Sequence, residues 1–144
     1  MKKSIILLCA LIFFCIFTIS CSNDTGDSDV DVDLSVLSTT MAQAEYENIV
    51  LNYDKYIGKT VRTSGTYFTI TDDSTGSHYH YIIIIPGDDC CQLGFEFKRD
   101  GNYIVPDDYP ENSAAIEVTG ILNKGEDRGF PYLYLASAEM TKLS

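Results

Sequence analysis

The spacing of hydrophobic residues changes several times along the chain, and each change predicts a different kind of element. Residues 5–17 form an unbroken apolar run, IILLCALIFFCIF, with the length and position of the hydrophobic part of a secretory signal. Residues 39–56 then show a helical spacing of apolar positions, which predicts one helix that ends before Gly58. The residues at this spacing are Met41, Ala44 and Ile49, followed by Tyr53 and Tyr56. Beyond Gly58 the pattern takes the two-residue period of β-strands.

Five segments after Gly58 have the composition and alternation of β-strands. They are KTVRTSGTYFTI, HYHYIIII, CQLGFEFKR, AAIEVTGILNKG and PYLYLASAEMTKL. Turn-forming residues separate them, and VPDDYPENS predicts a longer irregular loop. Gly65 and Gly120 interrupt strand patterns, as expected where strands bend sharply. Five strands with glycines at bends predict a mainly β fold, a five-stranded barrel preceded by one N-terminal α-helix.

The beginning of the chain predicts secretion and a lipid anchor. Lys2 and Lys3 precede the apolar run, which at about 13 residues is shorter than the ~20 that cross a bilayer, so we expect a cleaved signal peptide over residues 1–20. The stretch FTISC-SN, which contains Cys21, resembles the lipobox of bacterial lipoproteins, although Thr18 stands where Leu is usual. The resemblance implies an extracytoplasmic lipoprotein of the bacterial cell envelope, anchored to the membrane through an acylated Cys21. The alternative is an ordinary secretory signal with an incidental cysteine.

Charge and composition divide the rest of the chain and exclude one class of partner. Residues 21–38 are rich in Asp and Ser and predict a flexible, lipid-anchored acidic linker, followed by a single barrel domain over residues 39–144. Two of the ten basic residues lie in the signal, so eight face 21 acidic residues afterwards, a formal net charge of −13 compared with −11 for the whole chain. Nucleic acid is bound mainly by clustered Lys and Arg, so we expect no nucleic-acid partner.

Four segments carry a resemblance to known proteins. They are YIGKTVRTSG (residues 56–65), DCCQLGFEF (89–97), PDDYP (106–110) and IEVTG (116–120). They resemble the oligonucleotide/oligosaccharide-binding (OB) fold, and more narrowly small bacterial envelope proteins of unknown function that carry a DCCxxGxEF motif. The resemblance extends over most of residues 45–138, and a more distant one relates the chain to the extracytoplasmic domain of a family of membrane proteins encoded beside permease-like partners. The resemblance to the OB fold implies an OB-type barrel whose usual binding face binds nucleic acid, sugar, peptide or protein.

Cys90 and Cys91 are the two thiols that remain once the signal is removed and Cys21 is acylated. Neighbours on an extended strand point to opposite faces, so we expect one in the barrel and the other outside it or beneath the helix, packing as small hydrophobic residues. Two alternatives stay open. The first is a strained, easily reduced disulfide between adjacent residues, which would make the pair redox-active. The second is a metal site.

The metal alternative has support elsewhere in the sequence. His78 and His80 alternate and share one strand face, so their imidazoles and the thiolates of Cys90 and Cys91 would complete a tetrahedral set for zinc or Cu(I). The expected hairpin, however, separates His80 from the cysteines by about four residues, or ~13 Å of strand. Its register better accommodates a smaller site of His78, His80 and Glu96. Without a metal, the histidines are exposed strand residues beside a turn. Zinc is therefore the candidate cofactor, and the sequence makes no cofactor certain.

The sequence contains no nucleophile elbow, phosphate loop or metalloprotease helix, and we therefore expect the protein not to be an enzyme. The leading interpretation is a lipid-anchored extracytoplasmic binding or accessory module. Its expected partner is an envelope protein or a small envelope ligand, and exposed members of the ten tyrosines are candidates for the contact. The alternatives are a metal-binding lipoprotein and, third, a redox-active pair of adjacent thiols.

Overall fold

The computed structural model describes residues 29–85 and 92–144, and of Ile85 the backbone only. The predicted signal, Cys21 and the pair Cys90 and Cys91 lie outside these described residues. The elements are β1 (Val32–Asp33), α1 (Thr39–Leu51), a 3-10 turn (Tyr53–Lys55), β2 (Thr60–Thr71), β3 (His78–Ile85), β4 (Leu93–Phe97), β5 (Ala115–Asp127) and β6 (Phe130–Lys142). Among the described residues there is no helix with the length and apolar character needed to cross a bilayer.

Five of the strands close into a barrel, in the order β2-β3-β4-β6-β5 and back to β2. All neighbours in the barrel are antiparallel except β4 and β6, which pair in parallel. Counted from the first barrel strand, the order is 1-2-3-5-4-1, which is that of an OB-type barrel. The prediction of a mainly β, five-stranded OB-type barrel preceded by one helix is confirmed.

Gly65 is the point at which β2 bends and changes its partner strand. Residues 60–66 pair with β5, whereas residues 66–71 pair with β3. A Cβ atom on Gly65 would collide with the carbonyl oxygen of Ile83, so glycine is required for β3 to approach this closely. Gly120, the other predicted bend, lies at a register shift in the β5–β6 pair. Both glycines therefore occur where the sheet curves into a barrel.

The barrel is filled by side chains from alternate strand residues. The fully buried ones include Val61, Tyr67, Ile82, Phe95, Phe97, Ile116, Val118, Leu122 and Leu135. From α1, Ile49 joins this core and Ala42 is also buried. Met41 and Ala44, which share the predicted helical spacing, are exposed, so the buried face of the helix differs from the one that the spacing indicates. The helix also ends earlier than predicted, because Tyr53 begins a separate 3-10 turn.

The second half of the predicted flexible linker belongs to the folded domain. Val32 pairs with Val61 in a short parallel β1–β2 ladder, and the carboxylate of Asp33 lies 3.6 Å from the guanidinium of Arg62. Leu34 follows with only 3% of its surface exposed and packs in the core. The predicted boundary at residue 39 is therefore too late. The reason is local: in DVDVDL the apolar residues alternate, and this alternation lets a segment with an acidic composition bury one face.

Candidate functional site

A groove of about 1160 Å³ lies on the outer face of the barrel, over β3 and β4. One side is formed by α1 and the 3-10 turn, and the other by the β5–β6 hairpin. OB-type barrels bind their ligands on this face, between the loops that join barrel strands 1 to 2 and 4 to 5. In this chain these loops are residues 72–77 and 128–129. The lining residues are Tyr46, Val50, Tyr53, Asp72, Tyr79, Tyr81, Gly94, Glu96, Lys124, Glu126, Asp127, Arg128, Phe130, Pro131, Tyr132 and Leu133.

The floor of the groove carries aromatic side chains because of the strand register. Tyr81 lies directly opposite Glu96, and Ile82, the next residue of β3, points into the core. Tyr79 is two residues before Tyr81 and therefore on the same outer face, where 39% of its surface is exposed. Burial, followed by the neighbouring charge of Glu96, raises the pKa of Tyr81. The floor thus combines phenol rings with a carboxylate.

The β5–β6 hairpin forms one side of the groove and ends in a two-residue turn. Arg128 and Gly129 both have positive φ angles, 51° and 84°. Such a turn normally takes Asn, Asp or Gly at its first position, because a larger side chain is strained there. Phe130 follows with 75% of its surface exposed and lines the groove. The tip of the hairpin therefore presents a guanidinium and a phenyl ring to any molecule in the groove.

Lys98 follows β4 at the edge of the floor and shows how this surface holds a positive charge. Its ammonium donates a hydrogen bond of 2.9 Å to the Tyr132 hydroxyl and lies 3.3 Å from a carboxylate oxygen of Glu96. The same nitrogen is 4.2 Å from the centre of the Tyr134 ring. Burial alone opposes the charge, but the Tyr132 hydroxyl and Glu96 outweigh it, so the pKa of Lys98 is raised. The charged lysine is stabilised by two rings and one acid.

Where the β5–β6 hairpin meets the 3-10 turn, Lys124 and Tyr53 make a second contact of this kind. The ammonium donates a hydrogen bond of 3.1 Å to the Tyr53 hydroxyl and lies 4.6 Å from the ring centre. This hydrogen bond is the main reason why the pKa of Lys124 is raised. The contact connects β5 to the 3-10 turn, so the ammonium of Lys124 already has a hydrogen-bond partner within the protein.

The predicted histidines lie on the other side of the sheet from Glu96. Because Tyr81 shares a face with Glu96, its neighbour His80 points to the opposite face. There the Nδ1 atom of His80 is 2.7 Å from the Tyr67 hydroxyl, and its ring stacks on Tyr109 at 3.8 Å. Burial, followed by the charges of His78 and Arg99, lowers the pKa of His80 to about 4, so the ring is neutral. His80 is half-buried on the face that carries Tyr67 and Phe97, and it does not line the groove.

The proposed ligand set of His78, His80 and Glu96 is therefore not brought together, because one strand position separates the two faces. The exposed His78 contacts Thr71 instead, with 3.0 Å between its Nδ1 atom and the Thr71 hydroxyl. Within residues 29–85 and 92–144, no three His, Cys, Asp or Glu side chains are grouped so that they could hold a metal ion. Cys90 and Cys91 are outside the described residues, so their packing, redox and metal hypotheses stay predictions.

The sequence analysis did not single out the tyrosines of β3. In HYHYIIII the histidines and tyrosines alternate, and both sets are amphipathic, so the pattern does not say which set points outward. The strongest available indication was Phe95 and Phe97 on β4: these must fill the core, and Glu96 between them must then face outward together with its cross-strand neighbour. In comparisons with known proteins, no family model and no curated protein matches the chain.

Proposed function

We propose that the domain is a non-catalytic binding module, held outside a bacterial membrane by a lipid on Cys21, and that it binds an envelope protein or small envelope ligand in the groove over β3 and β4. The observation that carries this proposal is the position of the groove. It occupies the face on which OB-type barrels bind ligands and is bounded by the two corresponding loops.

The side chains of the groove support a role in recognition. Phe130 and Tyr79 are 75% and 39% exposed, and aromatic residues contribute much of the contact area in protein interfaces and ligand pockets. Arg128 at the rim has a strained backbone conformation with a positive φ angle, and such strain is common at binding sites. Solvent exposure of apolar rings costs solubility, and a ligand that covers them would remove this cost.

The same side chains favour binding over catalysis. Glu96 is paired with Lys98, and Lys124 is paired with Tyr53, so these groups stabilise one another. The lining residues within the described part of the chain include neither histidine nor cysteine. His80 lies on the other side of the sheet, where it contacts the Tyr67 hydroxyl. An acid–base pair aimed at a substrate would need a positioned partner, and the described lining residues do not include a histidine or cysteine to act as one.

Site-specific photo-cross-linking in intact membranes tests the proposal. A photoreactive amino acid would replace Phe130 in the full chain, and in a matched control it would replace Val36, which is also 75% exposed but does not line the groove. We expect one discrete adduct from position 130 and none from position 36. Equal labelling at both positions, or no adduct at 130 in membranes that retain the protein, would argue against a binding groove.

A further inference from the structure

Basic side chains of this acidic domain repeatedly lie over tyrosine rings. Four of the eight basic residues that follow the predicted signal do so, each over a different tyrosine. A cation over an aromatic face is attracted by the ring quadrupole. The distances to the nearest ring centres are 4.8 Å for Lys59 over Tyr56, 4.2 Å for Lys98 over Tyr134, 3.5 Å for Arg99 over Tyr103 and 4.6 Å for Lys124 over Tyr53.

Four aromatic rings of the groove have no such cation within the described part of the chain, and one of them, Tyr46, packs against the ring of Phe95. Among the described residues, no lysine or arginine lies over Tyr79, Tyr81 or Phe130, although all three line the groove. Tyr81 lies opposite Glu96, the acid that already holds the ammonium of Lys98. The groove therefore repeats, around the exposed Tyr79 and Phe130 and the half-buried Tyr81, the combination of rings and acid that holds a lysine at its edge.

The charge of the groove has the sign that such a ligand requires. Four carboxylates line it against two cations, and although Glu96 is already paired with Lys98, Asp72, Glu126 and Asp127 still outnumber Lys124 and Arg128. Glu126 and Asp127 stand beside Phe130 across the hairpin, and both are exposed. The whole chain carries a net charge of −11, so its field attracts cationic partners over distances of about the Debye length, ~8 Å at physiological ionic strength. Local and overall charge thus both complement a basic partner.

We propose that the groove binds a basic peptide segment of a partner protein, with its Lys or Arg side chains over Tyr79, Tyr81 and Phe130. The inference rests on the proposed function and names the partner chemistry of the same groove. Glu126 and Asp127 pair with the charges of the segment, and Arg128 at the rim opposes them. Each ring contributes roughly a two- to fivefold gain in affinity, the range for cation–π contacts at exposed sites.

Peptide titration with the full chain in detergent micelles tests the inference. The probes are fluorescent nine-residue peptides of equal length: one with alternating Lys and Gly, one with Arg and Gly, one with Glu and Gly, and one with Ser and Gly. We expect both basic peptides to bind more tightly than the neutral and acidic ones. Equal binding of all four, or tighter binding of the acidic peptide, would overturn the inference.

Matched variants separate recognition by the groove from general attraction to an acidic protein. Tyr79→Leu should weaken the binding of the basic peptides two- to fivefold, whereas Tyr79→Phe, which keeps the ring, should leave their affinity unchanged. Glu126→Gln should weaken binding more than Glu139→Gln, because both acids are exposed but only Glu126 lines the groove. Arg128→Gln should strengthen binding. Equal losses of peptide affinity in Glu126→Gln and Glu139→Gln, or equal affinities of the two Tyr79 variants, would show a general attraction to the acidic protein. Either result would refute binding of the basic segment in the groove.

The two proposals fail in different ways. An adduct at position 130 together with weak or unselective peptide binding would keep the groove as a binding site and reject the basic segment as its ligand. Failure of both experiments would reject the binding groove itself.

Discussion

Replacing His80 with phenylalanine should remove part of the loss of stability that acid causes in this domain. His80 is half-buried, stacked on Tyr109 and hydrogen-bonded to the Tyr67 hydroxyl at 2.7 Å. Phe97 packs nearby, and the charged or titratable groups that face the ring are His78 and Arg99 in addition to the two phenols. A phenylalanine keeps the stacking but cannot bind a proton.

The magnitude follows from the lowered pKa. Burial takes the pKa of His80 from an ordinary value of 6.5 to about 4, so the unfolded chain binds the proton more readily between these values. Stability therefore rises with pH through this window and is lost as the pH falls from about 6.5 towards 4. The full shift corresponds to about 3.4 kcal/mol, and about 2 kcal/mol of it would be lost by pH 5. Because solvent reaches the ring, we expect about 1 kcal/mol.

Urea unfolding of the wild type and of His80→Phe at pH 7.5 and pH 5.0 measures this difference. The carboxylates titrate in both proteins, so the comparison isolates His80. His80→Gln serves as a second variant, because it keeps an acceptor for the Tyr67 hydroxyl and also lacks the titration. We expect the loss of unfolding free energy between the two pH values to be smaller by about 1 kcal/mol in both variants. An unchanged loss in both would refute the claim that His80 is neutral in the fold.

Three further predictions concern the ends and bends of the domain. Leu34→Ala should lower the unfolding free energy by about 2 to 3 kcal/mol in urea titrations, while Val36→Ala, at an exposed position, should leave it unchanged; equal effects would mean that β1 is not part of the core. Gly65→Ala should cost about 2 kcal/mol or more because its Cβ meets the carbonyl of Ile83, and a wild-type midpoint would contradict the bend. Cys21→Ser should move the protein from the membrane to the soluble fraction, and continued sedimentation with membranes would disprove the lipid anchor.

The barrel could be predicted because its strands keep a two-residue period and its glycines occur at bends. The alternation of Phe95 and Phe97 around Glu96, and the interruption at Gly65, are local properties that pairing between strands does not change. The short β1 was missed because composition was averaged over the acidic segment, which concealed the alternation around Val32 and Leu34. Local period was a better guide than mean polarity in this segment.

The site was harder to predict because it depends on which face of β3 points inward. His80 and Tyr81 are both amphipathic, and only the pairing of Tyr81 with Glu96 assigns the tyrosines to the outer face. The groove also needs the β5–β6 hairpin and α1, which are far from β3 in sequence. A metal site of His78, His80 and Glu96 was reasonable from spacing along the chain. It is not formed because Tyr81, and not His80, pairs with Glu96, so the histidines point to the opposite face of β3.

The groove over β3 and β4 is proposed as the binding surface of the protein. Its most direct test is the dissociation constant of the molecule recovered from the position-130 adduct, measured with the wild-type full chain and with a double variant, Tyr79→Ala and Phe130→Ala. The double variant should bind about four- to 25-fold more weakly, the product of the two- to fivefold loss expected for each ring. An affinity equal to that of the wild type would contradict the proposal.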